Sequence, residues 1–195
     1  MEKIFALSSI ALLLMAGCDF LSESDIRQGD FFPLRIGQQW TYRITESDID
    51  TSRLGFPKQF TVSVVDEVIL ADEKYFLMAN YFVPGPTLPE TILVRSTGSQ
   101  VFIRFDPEQE EYLFYSFTRA DTMWSVPMYA NPSTLYPRTA RLEALAENTA
   151  TIAWDWNGRS ESGWQEIFER KVGRKEIVSV SQVYGKIVWK LESTK

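Results

Sequence analysis

Gln59-Phe60-Thr61-Val62-Ser63-Val64-Val65-Asp66-Glu67-Val68-Ile69-Leu70, followed by Ala71-Asp72-Glu73 and then Lys74 to Val83, is the stretch that sets the fold class. Phe60, Val62 and Val64 alternate with polar neighbours before a more continuous apolar run, and a two-residue period is that of a half-buried strand. Ala71-Asp72-Glu73 reads as a tight connection, beyond which Tyr75, Leu77, Ala79 and Tyr81 share a face. Two such runs around a short polar turn predict a β-hairpin.

The same period recurs on both sides of this hairpin. Trp40, Tyr42 and Ile44 alternate with polar partners in 39–46. Val83-Pro84-Gly85-Pro86 and Pro89 mark a loop, since proline gives no ladder donor. A second hairpin is predicted from 91–96 and 100–105 around Thr97-Gly98-Ser99, and a further strand over 111–118 after the Asp106-Pro107 turn. Residues 119–137 read as irregular, with Pro127, Pro132 and Pro137 among aromatics. Over 139–147 the Ala, Leu and Glu content favours helix, while Ala140, Leu142, Ala144 and Ala146 suit one face of a strand. The strand reading is taken, because Asn148-Thr149 turns it into 150–156. Strands over 164–170, 174–184 and 186–193 complete an all-β, antiparallel pattern: one domain over 31–195, a closed or half-open barrel or, alternatively, a sandwich.

Composition narrows the chemistry. Of 195 residues none is His and one is Cys, and the net charge is −6. The absence of His removes Ser-His-Asp and Cys-His nucleophiles and His-ligated metals. An acidic chain without a basic stripe argues against nucleic acid and against electrostatic docking to anionic lipid.

The one cysteine, Cys18, follows Lys3, an apolar run over 4–15 and the small residues Ala16-Gly17. Length and charge layout are those of a secretory signal peptide over 1–17, too short to span a bilayer. Met15-Ala16-Gly17-Cys18 resembles the bacterial lipobox, with Met15 where Leu is most usual. The resemblance implies cleavage before Cys18, lipidation of its thiol, and a lipid-anchored place in the bacterial cell envelope. Residues 18–30 then form a polar tether; the membrane is the partner implied through Cys18, beside an apolar ligand or an envelope protein as further candidate partners. Asp19 occupies the place that favours inner-membrane retention in enterobacteria, but inner and outer membrane both stay open.

Phe32-Pro33-Leu34-Arg35-Ile36-Gly37-Gln38-Gln39-Trp40-Thr41-Tyr42 resembles the opening of a group of uncharacterised bacterial envelope lipoproteins that begin "FPL-x-x-G-x-x-W-x-Y". Val172-Gly173 and the closing Gly185 to Leu191 are similar to that group's final strands. The resemblance implies a β-rich domain and carries no activity. From the residues alone, Pro33 fixes the chain's entry, Gly37 permits a turn, and Trp40 and Tyr42 share a strand face.

Three candidate sites follow. Asp155, Asn157, Ser160 and Glu161 offer calcium-like oxygen donors, yet their spacing is not that of the EF-hand, so a loop without metal is expected. Glu108, Glu110 and Glu111 flank a turn and read as a solvated rim. The Pro-aromatic stretch 123–137 is the best candidate for ligand or partner contact, through Trp124, Met128, Tyr129 and Tyr136; alternatively it seals the barrel. Three functions stand in order: a non-catalytic, membrane-anchored binding or scaffold module without cofactor; a carrier of an apolar ligand in a half-barrel cavity; and a carboxylate-based hydrolase, which needs two acids about 5 to 9.5 Å apart.

Overall fold

The computed structural model describes residues 30–51, 56–131, 134–156, 159–181 and 185–195. The predicted signal peptide, Cys18 and the predicted tether up to residue 29 lie outside them, as do Asn157 and Gly158.

Twelve strands form one sheet: β1 (Gln39–Ser47), β2 (Gln59–Leu70), β3 (Glu73–Ala79), β4 (Thr91–Ser96), β5 (Gln100–Arg104), β6 (Tyr112–Ser116), β7 (Met123–Asn131), β8 (Thr134–Leu145), β9 (Thr149–Trp156), β10 (Arg159–Glu169), β11 (Gly173–Ser181) and β12 (Gly185–Thr194). The order is β6-β5-β4-β3-β2-β1-β12-β11-β10-β9-β8-β7. Half the chain winds away from β1 in one direction, and the other half winds away from β12 in the opposite direction. Every ladder is antiparallel, and β1 pairs with both β2 and β12. The sheet edges, β6 and β7, are consecutive in sequence and meet again across a seam, so the sheet is a barrel closed but for that seam. The all-β expectation holds, and barrel replaces the sandwich alternative.

Alternation explains which side faces in. Trp40 and Tyr42 sit opposite Val62 and Phe60, and the buried set continues through Val64, Met78, Ile92 and Val94. Outward positions carry ion pairs such as Arg43–Glu192, Lys175–Glu169 and Lys190–Glu176. A membrane-spanning barrel has the reverse polarity, an apolar band outside and a polar lumen. This barrel is apolar inside.

Three expectations are corrected. Residues 123–131 and 134–137 are strand, not irregular, because Pro127 and Pro137 fall where strand tolerates them; Pro132 lies outside the described residues. Pro127 lies opposite Pro137. Neither has an N–H, so this must be a non-hydrogen-bonded pair, with the Pro127 nitrogen pointing to the open edge. Secondly, Phe76 and Met78 face the core opposite Val94 and Ile92. Tyr75 is equally buried but on the outer face, under Arg95, Arg104 and Glu111. Asn80, at φ 57°, ends the strand and lets Tyr81 turn back inward. Glu111 is accordingly no loose rim acid: it takes two bonds from Arg95, at 2.9 and 2.6 Å, and one from the Tyr75 hydroxyl at 2.6 Å.

The motif residues at the two ends of the chain come together. The Trp40 indole N–H donates to the Val172 carbonyl at 2.8 Å, and the Tyr42 hydroxyl donates to the Arg174 carbonyl at 2.7 Å. Gly173, at φ 98°, lies under Trp40, where an added Cβ would stand 3.1 Å from the indole nitrogen and 3.6 Å from Pro33. Gly37, at φ 83°, makes the entry turn and donates its N–H to the Val64 carbonyl. Trp40 is 3% exposed. Trp40→Ala is therefore expected to lower stability by about 3–5 kcal/mol in urea melts, as removal of a buried aromatic does; a loss under about 1 kcal/mol, the range of surface changes, would contradict this packing.

Candidate functional site

The barrel interior holds the most reactive-looking group of side chains. Glu166 on β10 and Arg174 on β11 point into the lumen, with side chains 0% and 2% exposed, and Arg174 Nη1 bonds Glu166 Oε1 at 2.5 Å. The other carboxylate oxygen, Oε2, accepts from the Tyr115 hydroxyl and the Trp154 indole, each at 2.8 Å. Tyr81 and Tyr115 hydroxyls lie 2.5 Å apart. Tyr115 has one proton and gives it to Glu166, so Tyr81 is the donor between them. Arg174 Nη1 also reaches the Phe82 carbonyl at 2.8 Å, which ties the loop after β3 to β11.

Electrostatics keep this cluster fixed. Burial opposes the Arg174 charge, but Tyr81, Tyr42 and Glu166 around it hold the guanidinium protonated, well above its ordinary value. Burial pushes the Tyr81 and Tyr115 hydroxyls upward, so both stay neutral. Arg174 Nε and Nη2 have no acceptor among the described residues. The Tyr81 and Tyr42 rings lie 4.5 and 5.2 Å from Cζ, and a cation over such faces recovers part of the lost solvation.

Chemistry needs access, and this pair has none. Phe31, Phe114, Tyr115, Phe117, Trp154 and Phe168 fill the lumen around it, each no more than 1% exposed. Phe31 stacks on Phe117 at 5.1 Å and Trp154 on Trp164 at 5.2 Å. Among the described residues no second carboxylate faces Glu166, and no group of three His, Cys, Asp or Glu is placed to hold a metal. The pair is a structural device. Asp155 faces the other way, opposite Thr139 and Gly163.

The predicted contact residues separate. Met128 is fully buried in the core. Trp124 is half-buried, 6.4 Å from Trp154, and its indole N–H donates to the Phe114 carbonyl on β6 at 2.9 Å, bridging the seam. Tyr136, opposite Met128, is 46% exposed. Tyr129 pairs with Leu135 along the backbone, and its side chain lies outside the described set. The interior pair was missed in the sequence because Glu166 and Arg174 look like ordinary alternating polar residues. A usable signal was present for Glu166, which alternates with Trp164 and Phe168 on the inward face; Arg174 reaches the same face as Ile177 only through the bulge at Lys175, which the period does not show.

No protein-family model matches the chain. No curated protein matches it either. Among solved structures, it is similar to a "putative lipoprotein" from Parabacteroides distasonis ATCC 8503, at 13% identity and a TM-score of 0.47, over 86% of this chain and 99% of that one.

Two predictions follow from this geometry. Arg174→Met alone strands a buried carboxylate and is expected to lower stability by about 3–5 kcal/mol, whereas Glu166→Leu with Arg174→Met recovers most of that loss. Equal losses for the single and the double variant in denaturant melts would mean the pair does more than neutralise itself. In β7, the Pro127–Pro137 pair directs the Trp124, Val126 and Met128 amides toward β8, and those of Met123 and Ser125 toward the edge. Hydrogen exchange should be slow at the first three and fast at the last two; uniformly fast exchange would show β7 to be detached.

Proposed function

We propose that the chain is a non-catalytic, lipid-anchored module of the bacterial cell envelope, held by Cys18 and offering the outside of a solid barrel to other envelope components. The observation that carries this reading is the filled lumen. A carrier of the half-barrel kind needs an open apolar cavity, and here that volume is taken by the protein's own aromatic rings. A carboxylate hydrolase needs two facing acids in a cleft, whereas Glu166 is enclosed and held by three donors.

The anchor reading draws its support from the residues around Cys18. One acyl chain binds a membrane only marginally, at about 0.8 kcal/mol per buried methylene, so a stable anchor takes more than one chain. The chain from Cys18 to Asp30 spans at most about 40 Å when extended, which keeps the barrel near the bilayer without embedding it. The outward ion pairs suit a wall that stays in water.

Radiolabelled palmitate should appear on the wild-type protein expressed in its bacterial envelope. Cys18→Ser should lose the label and either release the barrel to a soluble fraction or leave it uncleaved, with its thermal melt unchanged. A wild type that carries a free thiol and no label sinks the anchor reading.

A further inference from the structure

At the end of the barrel where the chain enters, three cations from distant segments converge. A groove of about 790 Å³ is lined by Asp30, Pro33 to Gln38, Lys171, Thr194 and Lys195. Arg35, Lys171 and Lys195 come from the entry segment, the β10–β11 turn and the end of β12, so no basic stripe announces them in the sequence. The groove contains one side-chain carboxylate, Asp30, and the main-chain carboxylate of Lys195, against three side-chain cations. Arg43, Lys74, Arg95, Arg141, Lys175, Lys186 and Lys190 are in ion pairs, but among the described residues none of these three is. The same lining includes Ile36, 56% exposed.

We propose that this groove docks on the headgroups of anionic phospholipid, with Arg35, Lys171 and Lys195 on the phosphates and Ile36 dipping into the interface. The proposal rests on the anchor reading above, and it departs from the expectation that an acidic chain makes no electrostatic contact with lipid. Three things on the molecule select a membrane as the occupant. The charge is complementary to a phosphate surface, where each Lys or Arg contributes about 1 kcal/mol. An exposed aliphatic residue lies in the same lining, and such a residue gains by leaving water at an interface. The tether also leaves from the groove itself: Asp30 is a lining residue, and its carbonyl is held by the Lys171 N–H at 2.7 Å. A tether of this length keeps the groove at millimolar effective lipid concentration, so a contact too weak to recruit a free protein is enough to orient an anchored one.

The acids of the β2–β3 tip, Asp66, Glu67, Asp72 and Glu73, lie on a neighbouring extension and are not part of the groove lining. That tip leaves the same end of the barrel, and two of its acids are offset there, Glu67 by Lys74 and Glu73 by Arg95, which lessens their repulsion of an anionic surface.

The test uses the full, lipidated protein in vesicles of phosphatidylcholine alone or with about 30% phosphatidylglycerol, an anionic fraction chosen for a negative surface potential. With Cys18 lipidated, Ile36→Cys supplies one reactive thiol for a solvatochromic dye. Val180→Cys, at the far end of β11 and 49% exposed, is the control. On the anionic vesicles the dye at position 36 should shift to the blue and escape iodide quenching, and the dye at 180 should do neither. The shift should vanish in about 1 M salt, where the Debye length is about 3 Å. Arg35→Gln with Lys171→Gln and Lys195→Gln should lower the docked-to-free ratio by about 100-fold. If the protein floats with both vesicles while position 36 stays as exposed as 180, docking is wrong and the anchor stands. If it floats with neither, both readings fall. A blue shift that survives salt and the triple variant overturns recognition of the headgroups.

Discussion

Filling the lumen is the constraint on which this structure depends. A barrel of about eight strands is just wide enough for wall side chains to meet across it, and wider barrels ordinarily enclose a cavity or channel. This one has twelve strands. Its interior is closed by size rather than number: Trp154, Trp164, Trp189, Phe114, Tyr115, Phe117 and Phe168 project inward, and the entry segment adds Phe31 and Phe32 from outside the sheet. Rings cover the span because each buries a large area and packs edge-to-face against its neighbours, as Tyr115 and Phe117 do on Phe168. The cluster of Glu166, Arg174, Tyr81 and Tyr115 belongs to the same solution. Long polar side chains reach the middle of the barrel, and once there they must satisfy one another.

The second consequence concerns how the two ends of the chain are joined. β1 pairs with β12, but the ladder shifts register between Thr41 and Tyr42 and again between Ile44 and Glu46. Side chains fix that pairing from within. Trp40 is bonded to the Val172 carbonyl, Tyr42 to the Arg174 carbonyl and Trp189 to the Pro57 carbonyl, each spanning more than a hundred residues. Phe32 packs on Trp40 at 6.3 Å, so the segment that leads out to the tether is wedged into the joint. A pull on the chain at Asp30 therefore bears on the core and not on a loop.

Most of this architecture was legible in the sequence, and the failures have identifiable causes. Strands at 59–70 and 91–96 matched the observed bounds, because a two-residue period and turn residues agreed there. The strand choice over 139–147 held as part of β8, where Ala140 and Leu142 are buried opposite Trp154 and Ile152. β7 was illegible because proline argues against a central strand, and only the tertiary placement of Pro127 on the seam side makes it acceptable. Tyr75 misled in another way. Apolar alternation reports burial, not which face is buried, and here a charged lid of Arg95, Arg104 and Glu111 covers an outer-face tyrosine. The groove was beyond reading altogether, since its three cations lie far apart in the chain and join only when β1, β11 and β12 align.

The seam determines how such a barrel can meet a partner. An open sheet edge invites strand addition from another chain. β6 has five residues, and β7 presents Pro127 where a donor would otherwise face outward. Trp124 crosses the gap to the Phe114 carbonyl and occupies an acceptor that an added strand would need. Inserting a strand would break that bond and part Trp124 from Trp154, exposing the buried rings behind it. Strand addition is therefore disfavoured at this seam, which leaves side chains on the wall and at the ends as the surface the barrel offers, among them Arg35, Lys171 and Lys195 at the end where the chain enters.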